Sequence, residues 1–112
     1  MTGMFVEIRT YRLKNGGIPE YLKVVGETGI AIQKKHLGNL VGYFSSEIGP
    51  INEIVHIWSF ASLDDRQARR ARLAADPDWQ AFLPRIRDLI ITADNKIMTP
   101  AAFSPIGGTM QA

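Results

Sequence analysis

LVGYFSSEIGPINEIVHIWSFASLDDRQARR, running from Leu40 to Arg70, contains the predicted strands and helix start around which the other elements are arranged. Its segments 40–47 and 54–60 are rich in aromatic and β-branched residues, which favour strands. The intervening GPIN at 49–52 is typical of a hairpin loop. The stretch therefore predicts a β-hairpin, followed by a helix that begins after Ser62, a residue suited to an N-cap.

Elements of alternating type flank this hairpin on both sides. Before the hairpin, the sequence predicts a strand over 4–13 and a helix over 18–36 that Gly38 ends. After the hairpin it predicts a helix from Ser62 to about Ala75 and a further helix that begins at Asp76 and Pro77 and is interrupted at Pro84. A last strand is predicted over 93–103 and is limited by Pro100. This βαββαβ order predicts a ferredoxin-like α+β fold, a four-stranded antiparallel sheet with helices on one face. We expect one domain over 1–112, with a loose tail at 104–112 that is either free or used by a partner.

The first helix carries an apolar or small stripe at helical spacing, formed by Ile18, Leu22, Val25, Gly29 and Ile32. This stripe is expected to face the sheet. The other face of the sheet would expose more apolar and aromatic side chains than a monomer tolerates in water. We therefore expect a homodimer, in which two sheets meet and close a dimeric α/β barrel.

Composition removes several classes of protein. The 112 residues are 46% hydrophobic and 21% charged, as in ordinary globular chains, and they include no cysteine for a disulfide or thiolate site. The net charge of +2 is too small to indicate a nucleic-acid partner. Four arginines on the predicted second helix, Arg66, Arg69, Arg70 and Arg72, are interpreted as a solvated face. Without a leader-like N-terminus or a run of about 20 apolar residues, a cytoplasmic protein with no membrane partner is expected.

Alternation along the hairpin places polar and aromatic side chains on one face. With a closing loop over 48–53, the predicted cross-strand pairs are Ser45 with His56 and Tyr43 with Trp58. Val55 and Ile57 would then point toward the helices. A register slip of one residue would replace Tyr43 and Ser45 by Phe44 and Ser46.

The first strand adds charged and phenolic side chains to the same face. Together the two strands predict a cavity that contains a possible base, a cation, phenols and an indole. The candidate catalytic residues are His56, Arg9 and Tyr43, and the candidate ligand-binding residues are Glu7, Tyr11, Ser45 and Trp58.

Each candidate also has a structural interpretation. His56 is either a proton-handling residue or a hydrogen-bonded structural histidine, and Arg9 either binds an anion or forms a buried ion pair. His36 is interpreted as a structural residue packed against the last carbonyls of its helix, and Trp58 and Trp79 as core or interface residues. Because the two histidines lie twenty positions apart, no metal site is predicted, and no cofactor is expected.

Several short blocks of the sequence occur together in one known family. They are Glu7 to Tyr11, Gly42-Tyr43, Glu47 to Pro50, Val55 to Trp58 and Asp76 to Arg87. In this order and spacing the chain resembles the NIPSNAP family over nearly its whole length. The resemblance implies a dimeric α/β barrel, an architecture shared with cofactor-independent monooxygenases and related isomerases, and it does not transfer their chemistry.

Two functions from different classes remain. In the first, the barrel binds or transforms a small hydrophobic molecule, with Arg9 or Tyr43 polarising an oxygen and His56 moving a proton. In the second, the chain is a non-catalytic dimeric interaction or scaffold protein. A cavity of at least about 300 Å³ lined by His56 would favour the first.

Overall fold

Four strands form one antiparallel sheet in the computed structural model, which describes residues 4–110. They are β1 (Phe5–Leu13), β2 (Asn39–Ser45), β3 (Glu53–Phe60) and β4 (Ile90–Met98). Their spatial order is β2-β3-β1-β4, and every neighbouring pair is antiparallel. The predicted ferredoxin-like α+β fold is confirmed, with β1 and β3 in the centre of the sheet.

The helices begin and end at the residues that the sequence signals. They are α1 (Ile18–Val24), a π-helical turn (Val25–Gly29), α2 (Ile30–Leu37), α3 (Leu63–Ala75), α4 (Pro77–Phe82) and α5 (Pro84–Arg87). The Ser62 hydroxyl accepts a hydrogen bond from the Asp65 amide at 3.0 Å, and the Asp76 carboxylate accepts one from the Asp78 amide at 2.8 Å. Both predicted N-caps are therefore present.

The π-helical turn changes which side chains of the first helix face the sheet. Because a π-helical turn holds more residues than an α-helical one, it rotates the residues on either side of it relative to each other. Leu22, predicted on the inner stripe, is 39% exposed, whereas Gln33 is 6% exposed. The buried positions follow a spacing of four residues: Tyr21, Val25, Gly29, Gln33 and Leu37.

The side chains that we predicted on the open face of the sheet lie on the helix-covered face, and those predicted under the helices lie on the open face. The aromatic and polar set pack under the helices, and Glu7, His56 and Trp58 are each 0% exposed. Val55 and Ile57, predicted to point toward the helices, lie on the open face and are only half-buried. The rings of Tyr11 and Trp58 belong to the helix-covered core, and Arg66 on α3 supplies a counter-charge for the buried Glu7.

The register of the hairpin also differs by two residues from the predicted pairing. Tyr43 lies opposite His56, and Leu40 lies opposite Trp58, with an irregularity between Leu40 and Gly42. A two-residue shift preserves the alternation, so Tyr43 stays on the His56 face. Ser45 pairs with Ile54 at the end of the strand and is exposed.

The last strand starts and ends earlier than predicted, at Ile90 and Met98 instead of 93 and 103. The ladder stops two residues before Pro100, which lacks the N–H that would extend it. Beyond it, backbone hydrogen bonds fold residues 101–110 into turns, for example from the Met110 amide to the Ala102 carbonyl at 2.8 Å. These turns include the described part of the tail predicted from residue 104 onward. Residues 111 and 112 of that predicted tail lie outside the described residues.

Candidate functional site

A cavity of about 370 Å³ lies between the sheet and the helices. Its polar side chains come from β1, from the first helical stretch and from α3 and α5, and its apolar wall comes mainly from α4, α5 and the π-helical turn. The lining residues are Arg9, Tyr11, Tyr21, Val25, Gln33, Arg70, Trp79, Leu83, Ile86, Arg87 and Ile90. The volume falls within the range of small-molecule sites in proteins.

Glu7 anchors the charged side of this cavity from beneath. Its fully buried carboxylate accepts hydrogen bonds from Arg66 Nε and Nη2 at 3.1 and 2.8 Å, and from Arg9 Nη1 at 3.0 Å. Burial alone would raise the pKa of Glu7. The hydrogen bond from Arg66 and the charges of Arg9, Arg66 and Arg70 outweigh burial and hold that pKa below its usual value. Glu7 is therefore an anion that fixes the Arg9 guanidinium at the cavity.

Arg9 also orients a phenol at the cavity. Its Nε donates a hydrogen bond to the Tyr11 hydroxyl oxygen at 3.0 Å. Because that oxygen accepts from Arg9, the Tyr11 proton is directed to another acceptor. Nearby, the hydroxyls of Tyr21 and Tyr43 share a hydrogen bond of 2.6 Å, and burial raises the pKa of both phenols. Tyr21 and Tyr43 are therefore neutral hydrogen-bonding groups at neutral pH.

His56 lies behind the cavity wall and does not line the cavity. Its ring stacks on Tyr43 with centroids 4.5 Å apart and contacts the Tyr11 ring edge-on at 4.9 Å. Its Nδ1 accepts a hydrogen bond of 2.8 Å from the Trp58 indole N–H, so Nε2 carries the proton of the neutral ring. Nε2 has no hydrogen-bond partner within residues 4–110.

The charge state of His56 follows from its burial. Desolvation, together with the positive charges of Arg9 and Arg70, lowers the pKa of His56 to about 3. The ring is neutral at pH 7, and its unprotonated nitrogen is occupied by Trp58. This geometry does not favour the proton-accepting role considered for His56.

The structure brings most of the candidate residues into one cluster but gives them different positions. Arg9 and Tyr11 reach the cavity. Glu7, Tyr43, Trp58 and His56 support its lining residues from behind, and exposed Ser45 lies apart from it.

The four arginines of α3 were interpreted as a solvated face, and this interpretation is wrong for three of them. Arg66 binds Glu7, Arg70 lines the cavity, and Arg69 binds Asp65 at 3.0 Å and the His36 carbonyl at 3.2 Å. Arg72 is exposed as expected. Glu7 on β1 could have indicated this arrangement, because a buried carboxylate needs cations from the helix that packs over it.

The sequence interpretation also missed Gln33 and Tyr21 as cavity residues and treated Trp79 as core or interface. The π-helical turn places Gln33 on the cavity side of the helix, and no residue pattern in the helix predicts this turn. Trp79 stacks on Phe82 with centroids 5.5 Å apart and lines the cavity with the rest of its surface.

His36 has a structural contact different from the one we predicted. Its Nε2 lies 2.6 Å from Asp76 Oδ2, so it joins the end of α2 to the N-cap of α4. The backbone carbonyl of His36, one of the last of that helix, accepts a hydrogen bond from Arg69. The hydrogen bond from His36 lowers the pKa of Asp76.

The described residues form neither a metal-binding cluster nor a membrane-spanning helix. Between residues 4 and 110, no group of three or more His, Cys, Asp or Glu side chains is arranged to hold a metal ion. In the same range no helix is long and apolar enough to cross a bilayer.

The fold and site thus define a class: ferredoxin-like α+β proteins with an arginine- and tyrosine-lined cavity beneath the helices. The NIPSNAP family model matches residues 6–105 of this sequence. The chain belongs to the NIPSNAP family.

Curated relatives are consistent with this assignment. A NipSnap homologue from Dictyostelium discoideum is 33% identical over 84% of this chain, and human NipSnap homologue 3A is 37% identical over 70%. The chain spans 41% and 31% of the length of these two proteins.

Solved structures of bacterial family members superimpose closely. A NIPSNAP family protein of unknown function from Agrobacterium tumefaciens is 75% identical, with a TM-score of 0.91 over 93% of this chain and 94% of that one. A NIPSNAP-like domain protein from Burkholderia xenovorans is 43% identical, with a TM-score of 0.91 over 94% and 91%. SnoaB, a cofactor-independent oxygenase from Streptomyces nogalater, has a TM-score of 0.66 over 93% and 99% at 17% identity, which shows likeness of fold alone.

Proposed function

We propose that this protein binds, as ligand or substrate, a small and largely hydrophobic molecule in the cavity beneath its helices. The observation that carries the proposal is the lining of the 370 Å³ cavity, where a few convergent polar groups from β1 and α3 face an apolar wall. The cavity meets the volume expected above for a ligand site, but Arg9, Tyr11 and Arg70 line it in place of His56. Binding sites for small molecules have this composition.

The alternative, a scaffold without a ligand, requires the polar groups of the barrel to satisfy only one another. Glu7, Arg66 and the Tyr21–Tyr43 pair meet that requirement. Arg70 does not, because it makes no hydrogen bond or ion pair with any described residue. This difference favours the ligand-binding function.

The proposed chemistry is carried by Arg9 and Tyr11. Arg9 polarises an oxygen of the bound molecule, and the Tyr11 hydroxyl, oriented by Arg9, donates a hydrogen bond to it. His56 keeps the Tyr11 and Tyr43 rings in place by contact with both.

We also propose a homodimer formed through the open face of the sheet, and a cytoplasmic location. The dimer is supported by the half-buried aliphatic residues of that face, which include Val6, Ile8, Val55 and Ile57. The location is supported by a sequence without cysteine, which suits a reducing compartment.

Native mass spectrometry of the freshly purified protein tests the binding proposal, combined with an NMR screen of small aromatic compounds. A matched pair of variants locates the site: Leu83→Trp narrows the cavity, and Leu63→Trp makes the same change on the exposed surface of α3. We expect binding by the wild type and Leu63→Trp, and its loss in Leu83→Trp. The proposal fails if no compound binds, or if Leu83→Trp binds as well as the wild type while melting at the same temperature.

A further inference from the structure

We propose that the ligand of the cavity carries a carboxylate and that Arg70 is the residue that binds it. This inference rests on the proposed function and adds the chemical class of the ligand. It follows from the distribution of charge around the cavity, the surroundings of Arg70 and the character of the opposite wall.

The charged side of the cavity has more cations than anions. Arg9, Arg66 and Arg70 lie around Glu7, which supplies one negative charge. Two of the three arginines bind the Glu7 carboxylate directly, Arg66 through two nitrogens and Arg9 through one. Among the described residues no Asp or Glu lines the cavity, whose lining includes one further cation, the exposed Arg87. The side chain of Glu7 is therefore already occupied, and the positive charge of Arg70 is not neutralised by it.

Arg70 is held at the cavity without a partner of its own. It lies one turn of α3 after Arg66 and is half-buried, and within residues 4–110 it makes no side-chain hydrogen bond or ion pair. Burial and the charge of Arg9 lower the pKa of Arg70, but a guanidinium stays protonated at neutral pH. An incoming anion would thus meet a desolvated cation with all of its donors available.

A carboxylate matches these donors better than a larger anion. The planar guanidinium fork of Arg70 binds a carboxylate through two parallel hydrogen bonds. The Tyr11 hydroxyl and the Gln33 amide lie in the same lining, and Gln33 makes no side-chain hydrogen bond with the described residues. Both can donate to the second face of a bound carboxylate.

The opposite wall defines the rest of the ligand. Val25, Trp79, Leu83, Ile86 and Ile90 give the cavity an apolar surface, and the Trp79 indole provides a flat contact for a ring. A cavity of about 370 Å³ is at the small end for such sites. The geometry therefore fits a small monocarboxylate with an aromatic or branched apolar body.

The test compares two probes that differ only in the charged group, 4-phenylbutyrate and 4-phenylbutan-1-ol. Binding is measured by calorimetry and by NMR shifts, using the wild-type protein, Arg70→Gln and the control Arg72→Gln. Arg72 lies on the same helix, is exposed and does not line the cavity. Thermal melts of all three proteins check folding. Because Arg70 has no partner to lose, Arg70→Gln should melt at or above the wild-type temperature.

We expect the wild type and Arg72→Gln to bind the carboxylate at least about tenfold more tightly than the alcohol, a preference that weakens with added salt. Arg70→Gln should lose this preference and keep the alcohol affinity. Equal affinities of both probes for the wild type, or an unchanged preference in Arg70→Gln, would overturn the inference and leave the proposed function standing. Absence of binding by either probe, with no shifts at cavity residues, would overturn both.

Discussion

His56 shows how burial sets the chemistry of a single residue in this protein. Its ring has no solvent exposure, two arginines lie near enough to disfavour its protonation, and Trp58 occupies its basic nitrogen. No carboxylate of the described structure makes a side-chain hydrogen bond with it. A histidine in these surroundings acts as a neutral packing group.

Acid should therefore destabilise the fold through His56. The pKa of His56 is about 3 in the folded state and about 6.5 in the unfolded state. Between these values the unfolded chain binds more protons, so stability rises with pH and is lost on acidification from about 6.5 toward 3. One such group changes the free energy of unfolding by up to ~1.4 kcal/mol per pH unit.

Urea unfolding from pH 7 to pH 4.5 measures this slope. In His56→Gln, the amide oxygen can still accept a hydrogen bond from Trp58. We expect the slope of unfolding free energy against pH to decrease in this variant by the equivalent of about one bound proton. Glu7 contributes in the same direction at lower pH and is unchanged in the variant. Equal slopes for the two proteins, or an NMR titration of the His56 ring with a midpoint above 6.5, would show that the ring accepts a proton in the folded state.

For single residues, the sequence predicted which of them lie together more accurately than it predicted the role of each one. Alternation placed Glu7, Arg9, Tyr11 and His56 on one face, because that depends only on strand periodicity. It did not place His56 behind the cavity, because that depends on the depth to which Tyr11 and Tyr43 fill the space in front of it. Arg70 was missed because its position depends on how α3 is rotated over the sheet.

Among the elements, the first helix is fixed by a close approach at Gly29. A β-carbon at this position would lie 2.5 Å from the Phe82 ring, which is 2% exposed and stacked on Trp79. The ring belongs to the buried core cluster, so it cannot move without displacing its neighbours. The prediction that Gly29 faces inward therefore matches the structure, although the partner is a helix residue and not the sheet.

Gly29→Ala should destabilise the protein by ~1–3 kcal/mol through overpacking. Gly26→Ala is the matched control, because its β-carbon would meet no atom within 4 Å. The control should be neutral or more stable by ~0.5–1 kcal/mol, as expected for glycine to alanine in a helix. Chemical denaturation of both variants and of Gly29→Ala/Phe82→Leu measures the effect. Coincident unfolding curves for Gly29→Ala and the wild type would contradict the predicted contact.

The helix boundaries could be predicted because each is set by local chemistry. Ser62 and Asp76 cap their helices through their own side chains, and Gly38 ends α2 with a positive φ of 84°. The π-helical turn and the irregularity near Val41 were not predicted, because no residue pattern in the sequence marks either of them. The π-helical turn accounts for the misassigned inner stripe. The hairpin register is already shifted beside the loop, where Ser45 pairs with Ile54, so it reflects where the loop begins and ends.

For the whole molecule, the open face of the sheet decides the proposed assembly. Ile57 lies in the middle of this face and is half-buried in the single chain. Part of the face is bordered by residues of the C-terminal turns, including Pro100 and Ile106. The remaining aliphatic surface is the region on which the dimer proposal depends.

Sedimentation equilibrium at micromolar concentration should give twice the chain mass of 12.5 kDa. Ile57→Lys, which places a charge on the open face, should shift the mass to 12.5 kDa, whereas Leu63→Lys on the exposed surface of α3 should not. A wild-type mass of 12.5 kDa, or an Ile57→Lys protein that remains at twice that mass, would refute this interface.

The sheet order also affects how the chain folds as it is synthesised. β1 pairs on one side with β3 and on the other with β4, so both partners of the central strand emerge from the ribosome after it. At roughly 5–20 residues per second, the stretch between β1 and β4 takes several seconds to synthesise. During that interval the nascent chain presents an unpaired edge beside β1, which other chains can extend by strand pairing. Translational pausing before Ile90 would lengthen this exposure and increase co-translational aggregation.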